Sequence, residues 1–75
     1  MPRYFFHVRD SAEFIDDTGV QLTGRDAACA TATAAAGEAV KELDPTFWTS
    51  PEWQMWVTDE SGATVCSLSF SGVCR

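Results

Sequence analysis

One histidine, three cysteines and a cluster of acids are the residues of this 75-residue chain whose types could do chemistry. His7 is followed by Asp10, Glu13, Asp16 and Asp17, which puts an imidazole near four carboxylates in one short stretch. Such a set could supply a general base, a hard-cation site or a paired-carboxylate centre. The spacing argues against each. The calcium-loop pattern with its closing glutamate is absent, and no His-Cys-Asp spacing suggests zinc or iron. A Cys–His nucleophile pair would need a cysteine within hydrogen-bond reach of His7. Cys29 and Cys66 are expected to face the core as small hydrophobes, and Cys74 lies near the end. The five glycines are isolated, so neither a phosphate-binding loop nor a nucleophile elbow is present. Acids at these positions suit turns and solubility, and His7 reads as a surface histidine packed among rings. The expectation is a non-enzyme with no catalytic residue, no metal and no cofactor. A small-ligand binder or enzyme centred on His7 ranks last among the readings.

The elements that must hold these residues are marked by the rings. All nine aromatics (five Phe, three Trp, one Tyr) lie outside the alanine-rich stretch from Thr23 to Leu43. Residues 3 to 10 alternate: Tyr4, Phe6 and Val8 point one way, and Phe5, His7 and Arg9 the other. That period of two, rich in aromatic and β-branched types, predicts a strand. Asp10-Ser11-Ala12 turns the chain, Phe14-Ile15 begins a return strand, and Asp16-Asp17-Thr18-Gly19 interrupts it. Gly19 suits a positive φ in a turn or bulge, beyond which Val20-Gln21-Leu22 continues the strand. Thr23-Gly24-Arg25-Asp26 resembles a capping box, and Asp44-Pro45 stops the helix that follows. A turn of 100° per residue gathers Ala28, Ala32, Ala35, Ala36, Ala39, Val40 and Leu43 on one helix face. Trp53, Met55 and Val57 then alternate with Gln54, Trp56 and Thr58 in a third strand. Asp59-Glu60-Ser61-Gly62 is a hairpin turn. In a fourth strand Cys66, Leu68 and Phe70 share one face, opposite Val65, Ser67 and Ser69.

The expected fold is α+β: a single domain over residues 1–75, ordered ββαββ. One helix packs on one face of a four-stranded, mainly antiparallel sheet in spatial order 2-1-3-4. Such a sheet leaves one face and two edges uncovered. Phe5, His7, Trp56 and Val65 fall on the uncovered side and are the candidate interaction residues. Large rings on a polar face mark a protein contact more often than a base-stacking platform when no basic surround exists. Phe47 and Trp48 close one end of the core, and Trp48 is a further candidate anchor. Ala27, Ala30, Ala34 and Gly37 form a smooth stripe on the back of the helix.

Composition narrows the partners. Eleven acids against five scattered bases give a formal charge of −6. Phosphate-backbone binding needs clustered positive charge, so nucleic acid is not expected as a partner. No stretch approaches the roughly 20 apolar residues of a membrane span, nor the apolar core of a signal peptide. The odd cysteine count without a Cys-x-x-Cys pair fits a reducing, cytoplasmic setting.

The opening Pro2-Arg3-Tyr4-Phe5-Phe6-His7-Val8-Arg9-Asp10 is similar to a family of short alphaproteobacterial, notably rhizobial, proteins classed as a domain of unknown function. The likeness continues through Phe14 to Leu22, the alanine-rich helix and Trp53 to Phe70. It implies a cytosolic domain and supplies no catalytic residue. A looser likeness, at the level of pattern, is to antitoxins of the HicB type. Together these readings favour a protein-interaction module that forms a homodimer through its open sheet face or an edge. The alternative is an antitoxin-like or regulatory acidic partner of a basic protein.

Overall fold

A computed structural model describes the chain except residues 11, 44–46, 49–51 and 74. Strand β1 (Arg3–Arg9) is central and pairs antiparallel with β4 (Glu52–Thr58), which pairs antiparallel with β5 (Thr64–Ser71). On the other side of β1 lie two short strands, β2 (Glu13–Phe14) and β3 (Val20–Gln21). The sheet therefore runs β2-β1-β4-β5, with β3 also on β1, and all pairings are antiparallel. This is the order expected from the sequence, with the return strand divided in two. Val8 stands opposite Phe14, whereas Tyr4 stands opposite Val20. Residues 15–19 must therefore span the gap opposite only Phe5, Phe6 and His7, an excess of two residues that forces the chain out of the ladder. Gly19 ends the excursion at φ 74°, the positive value expected of it.

Helix α1 (Arg25–Lys41) lies over β4 and β5 and buries Ala28, Ala32 and Ala36 at successive i+4 positions. Beneath it are Tyr4, Trp53, Met55 and Val57. Each alanine methyl contributes about 0.8 kcal/mol on burial, whereas one aromatic ring removes roughly 150–250 Å² from water, worth about 4–6 kcal/mol. The rings therefore carry this core, and the short alanine side chains let the helix approach them. Trp53 stacks on Phe70 with ring centroids 4.7 Å apart and planes 16° from parallel. Ala39 and Leu43 also pack on the core, but Ala35 and Val40 are exposed, so the buried stripe is narrower than the expected face.

The expected capping box does not form. The N-cap is Gly24, in extended backbone and without a side-chain cap, and its carbonyl accepts from the Ala28 amide at 3.0 Å. Starting at Arg25 moves Thr23 one position too early to cap. Asp26 still places an acid in the first turn and Lys41 a base in the last, both favourable to the helix dipole. The helix stop at Asp44 and Pro45, the turn at 49–51 and Cys74 fall outside the described residues.

The turn between β4 and β5 is organised by one carboxylate. Asp59 Oδ1 accepts from the Ser61 amide (2.9 Å), the Ser61 hydroxyl (2.6 Å) and the Ala63 amide (3.1 Å), while Gly62 takes φ 88°. The Ser61 hydroxyl foremost, then the Ser61, Ala63 and Gly62 amides, hold the Asp59 carboxyl below its usual range despite some desolvation.

Candidate functional site

The excursion at residues 15–19 is fastened to β1 and β4 through His7. Its ring is 7% exposed, so the expected surface histidine is in fact buried. The Asp16 amide donates to His7 Nδ1 at 3.1 Å, and His7 Nε2 lies 2.9 Å from Thr58 Oγ1. An amide can only donate, so Nδ1 is the acceptor and Nε2 carries the proton in the neutral ring. His7 thus donates to the Thr58 hydroxyl. That polarity is the reverse of the one in which imidazole draws a proton from a hydroxyl nucleophile. Both ring nitrogens are committed to holding the chain together.

Asp16 completes the fastening. The interrupted ladder leaves the Phe6 amide facing a gap, and the Asp16 carboxylate fills it by accepting that N–H at 3.1 Å. Its other oxygen accepts from the Thr18 amide (3.0 Å) and the Gly19 amide (3.1 Å). Burial pushes the Asp16 carboxyl up, but the Phe6, Gly19 and Thr18 amides outweigh it, with a smaller electrostatic contribution from His7. The net shift is downward. Arg3 adds a bond from Nη1 to the Thr18 carbonyl at 2.9 Å.

Around His7 the uncovered face carries the other candidates. The His7 and Trp56 ring centroids are 5.2 Å apart, and the Arg9 guanidinium sits 5.4 Å above the Trp56 ring. Glu13 holds Arg9 from Nε at 3.1 Å and from Nη2 at 2.6 Å. Phe5 packs against Gly19, where an added Cβ would lie 2.9 Å from its ring. Phe5 and Trp56 are consequently half-buried, not free-standing. Val65 departs from its expected place. The β4–β5 register shifts between Val57 and Thr58, leaving Val65 unpaired, and its side chain packs against the core cluster. The structure thus brings Phe5, His7 and Trp56 together and sets Val65 apart from them.

The profile of a family described as domain of unknown function, DUF6894, matches residues 3–71. The chain belongs to the DUF6894 family. No curated protein matches it, and no solved structure matches it. The match to DUF6894 takes in the whole excursion, the helix and the sheet through the end of β5.

Two further surfaces of this DUF6894 chain involve the Trp48 anchor and the open sheet edge named from sequence. One is a groove of about 460 Å³ at the end of the helix, lined by Val40, Leu43, Phe47, Trp48 and Phe70. Trp48 is 51% exposed there, and its ring lies over Gly72. The other is the outer edge of β5, which has a strand neighbour on one side only among the described residues. Cys29 and Cys66 are free thiols only half-buried where burial was expected, although Cys66 does pack on the core as expected. Desolvation foremost, then the adjacent Cys29, pushes the Cys66 thiol up to about 11.

Proposed function

We propose that this chain is a non-enzymatic protein-interaction module that works as a homodimer. The observation that carries the reading is the quantity of large apolar side chain left at the surface. Phe14, Ile15 and Val20 are exposed on the β2 and β3 side, and Val40 and Trp48 are exposed around the helix-end groove. Apolar surface of this kind marks protein contacts in small domains. Phe5, Trp56 and Val65 are assigned to the contact or its immediate support, and His7 to holding Phe5 and Trp56 in place. The setting is bacterial and cytosolic. Supporting this are the free thiols of Cys29 and Cys66 and the opening residues, most of which fall in the family match.

Light scattering over a dilution series from about 5 to about 500 μM tests the reading, since micromolar association is ordinary for a small interface. The expected result is a mass rising toward twice 8.2 kDa. A mass that stays at the monomer value to the highest concentration overturns the homodimer. A second reading, an antitoxin-like or regulatory partner that covers a basic protein, draws on the −6 charge. It would be favoured by a monomer that binds a small basic protein in a salt-sensitive manner.

A further inference from the structure

We infer that the dimer seam is the outer edge of β5, paired antiparallel with β5 of a second copy; this rests on the interaction reading above. The outward backbone N–H and C=O groups of an edge strand are satisfied, apart from water, by another extended chain. β5 (Thr64–Ser71) has no charged residue and no proline, and past the bulge at Val65 it presents the six residues Cys66 to Ser71 as such an edge. Natural edges are normally guarded by charges, prolines, bulges or brevity. The opposite edge of this sheet has those guards. β2 and β3 are two residues each, the excursion with Asp16 and Asp17 separates them, and the Arg9–Glu13 ion pair stands at one end.

The occupant follows from what a second copy can offer. Of the strand edges described, β5 presents the longest regular row, Cys66 to Ser71, so the strand that fits β5 is β5 itself. Antiparallel self-pairing needs only a two-fold axis, the commonest oligomer symmetry. Charge points the same way. Each chain carries −6, and an uncharged strand is where two copies approach with least repulsion.

Register is restricted by the pleat. Residues directly opposite must share a face, so about an axis at Leu68 the Cys66 of one copy meets Phe70 of the other and Ser67 meets Ser69. The axis then passes beside Leu68, near the middle of the regular row, and both helices cover the same face of one continuous sheet. Phe70 and Ser71 belong both to β5 and to the helix-end groove. The start of the second copy's β5 therefore falls at the mouth of that groove.

Amide hydrogen exchange, read residue by residue by NMR at dilute and at concentrated protein, tests the seam. The expected result is that about every second amide from Cys66 to Ser71 slows at least about tenfold on self-association, since only outward N–H groups gain a partner. A dimer whose β5 amides exchange as fast as in the monomer overturns the seam while leaving the interaction reading standing. A chain that remains monomeric throughout overturns both.

Discussion

The Asp16 amide donates to His7 Nδ1 at 3.1 Å while the Asp16 carboxylate accepts the Phe6 amide at 3.1 Å, so one residue grips two neighbours on β1 at once. The two bonds have opposite polarity and come from different atoms of Asp16. They hold an excursion that would otherwise be a loose loop against the sheet. Through Nε2 and Thr58 the same ring carries the restraint on to β4. A flexible insertion in the return strand thereby becomes part of the fold.

Replacing His7 by Ala removes both ring bonds and a buried ring. Unfolding free energy should fall by about 2–4 kcal/mol, a large share of the margin of so small a domain. His7→Asn keeps a short acceptor on the side of the Asp16 amide and should lose less. Urea denaturation of the three proteins decides it. A loss below about 0.5 kcal/mol for His7→Ala would show that the excursion holds without the ring.

Acid should act through Asp16. Its folded carboxyl sits below the ordinary value of 3.8, so its contribution is present above that pH and is lost as pH falls through the lower folded value. Asp16→Asn keeps one acceptor oxygen but no charge. Its stability deficit at neutral pH should shrink as pH is lowered below 3.8. Denaturation midpoints for both proteins across that range give the comparison, and a constant deficit would refute the linkage.

Three glycines should respond differently to alanine. At Gly19 a Cβ would lie 2.8 Å from the Arg3 side chain and 2.9 Å from the Tyr4 carbonyl oxygen, on backbone of positive φ. A loss of about 2–4 kcal/mol is expected from strain and overlap together. Gly62 also has positive φ but open space around it, so about 1 kcal/mol is expected there. Gly37 lies inside the helix with nothing near its missing side chain, and Gly37→Ala should stabilise by about 0.5–1 kcal/mol. Thermal melts of the three variants should rank in that order.

Cys66 should be slow to alkylate. With its thiol raised to about 11, little thiolate exists at neutral pH, and reaction with iodoacetamide should lag behind that of the unfolded chain. Because the folded value exceeds the ordinary 9.0, the contribution is complete below that pH and is lost as pH rises toward 11. Tandem mass spectrometry of the tryptic fragment 42–75, which separates labelling at Cys66 from labelling at Cys74, reads the first effect. Equal folded and unfolded rates at Cys66 would contradict it.

Much of the architecture was legible because it depends on periodicity. The alternation in residues 3 to 10 and in Trp53 to Phe70 specified three strands and, Val65 apart, their faces, and the Asp59–Gly62 turn behaves as its composition suggests. Gly19 was legible for a local reason, its conformational freedom. The burial of His7 was not, because it depends on an amide nine residues away and a hydroxyl 51 residues away. The available signal was the Asp16-Asp17-Thr18-Gly19 interruption of the return strand. Val65 escaped because a register shift changes the face of a residue without altering its sequence pattern. Thr23 escaped because a helix that begins one residue later turns a capping position into an ordinary one.

The divided return strand also limits how far assembly can proceed. Removing two residues from 15–19 would allow β2 and β3 to merge into one unbroken strand along β1. The sheet would then be able to add a neighbour at both sides, and repeated addition at two edges without closure builds fibres. With that side interrupted, the proposed pairing through β5 would end at two copies. The excursion gripped by His7 and Asp16 is in this sense a stop: it makes the sheet one-ended, and separates a finite particle from an open-ended filament.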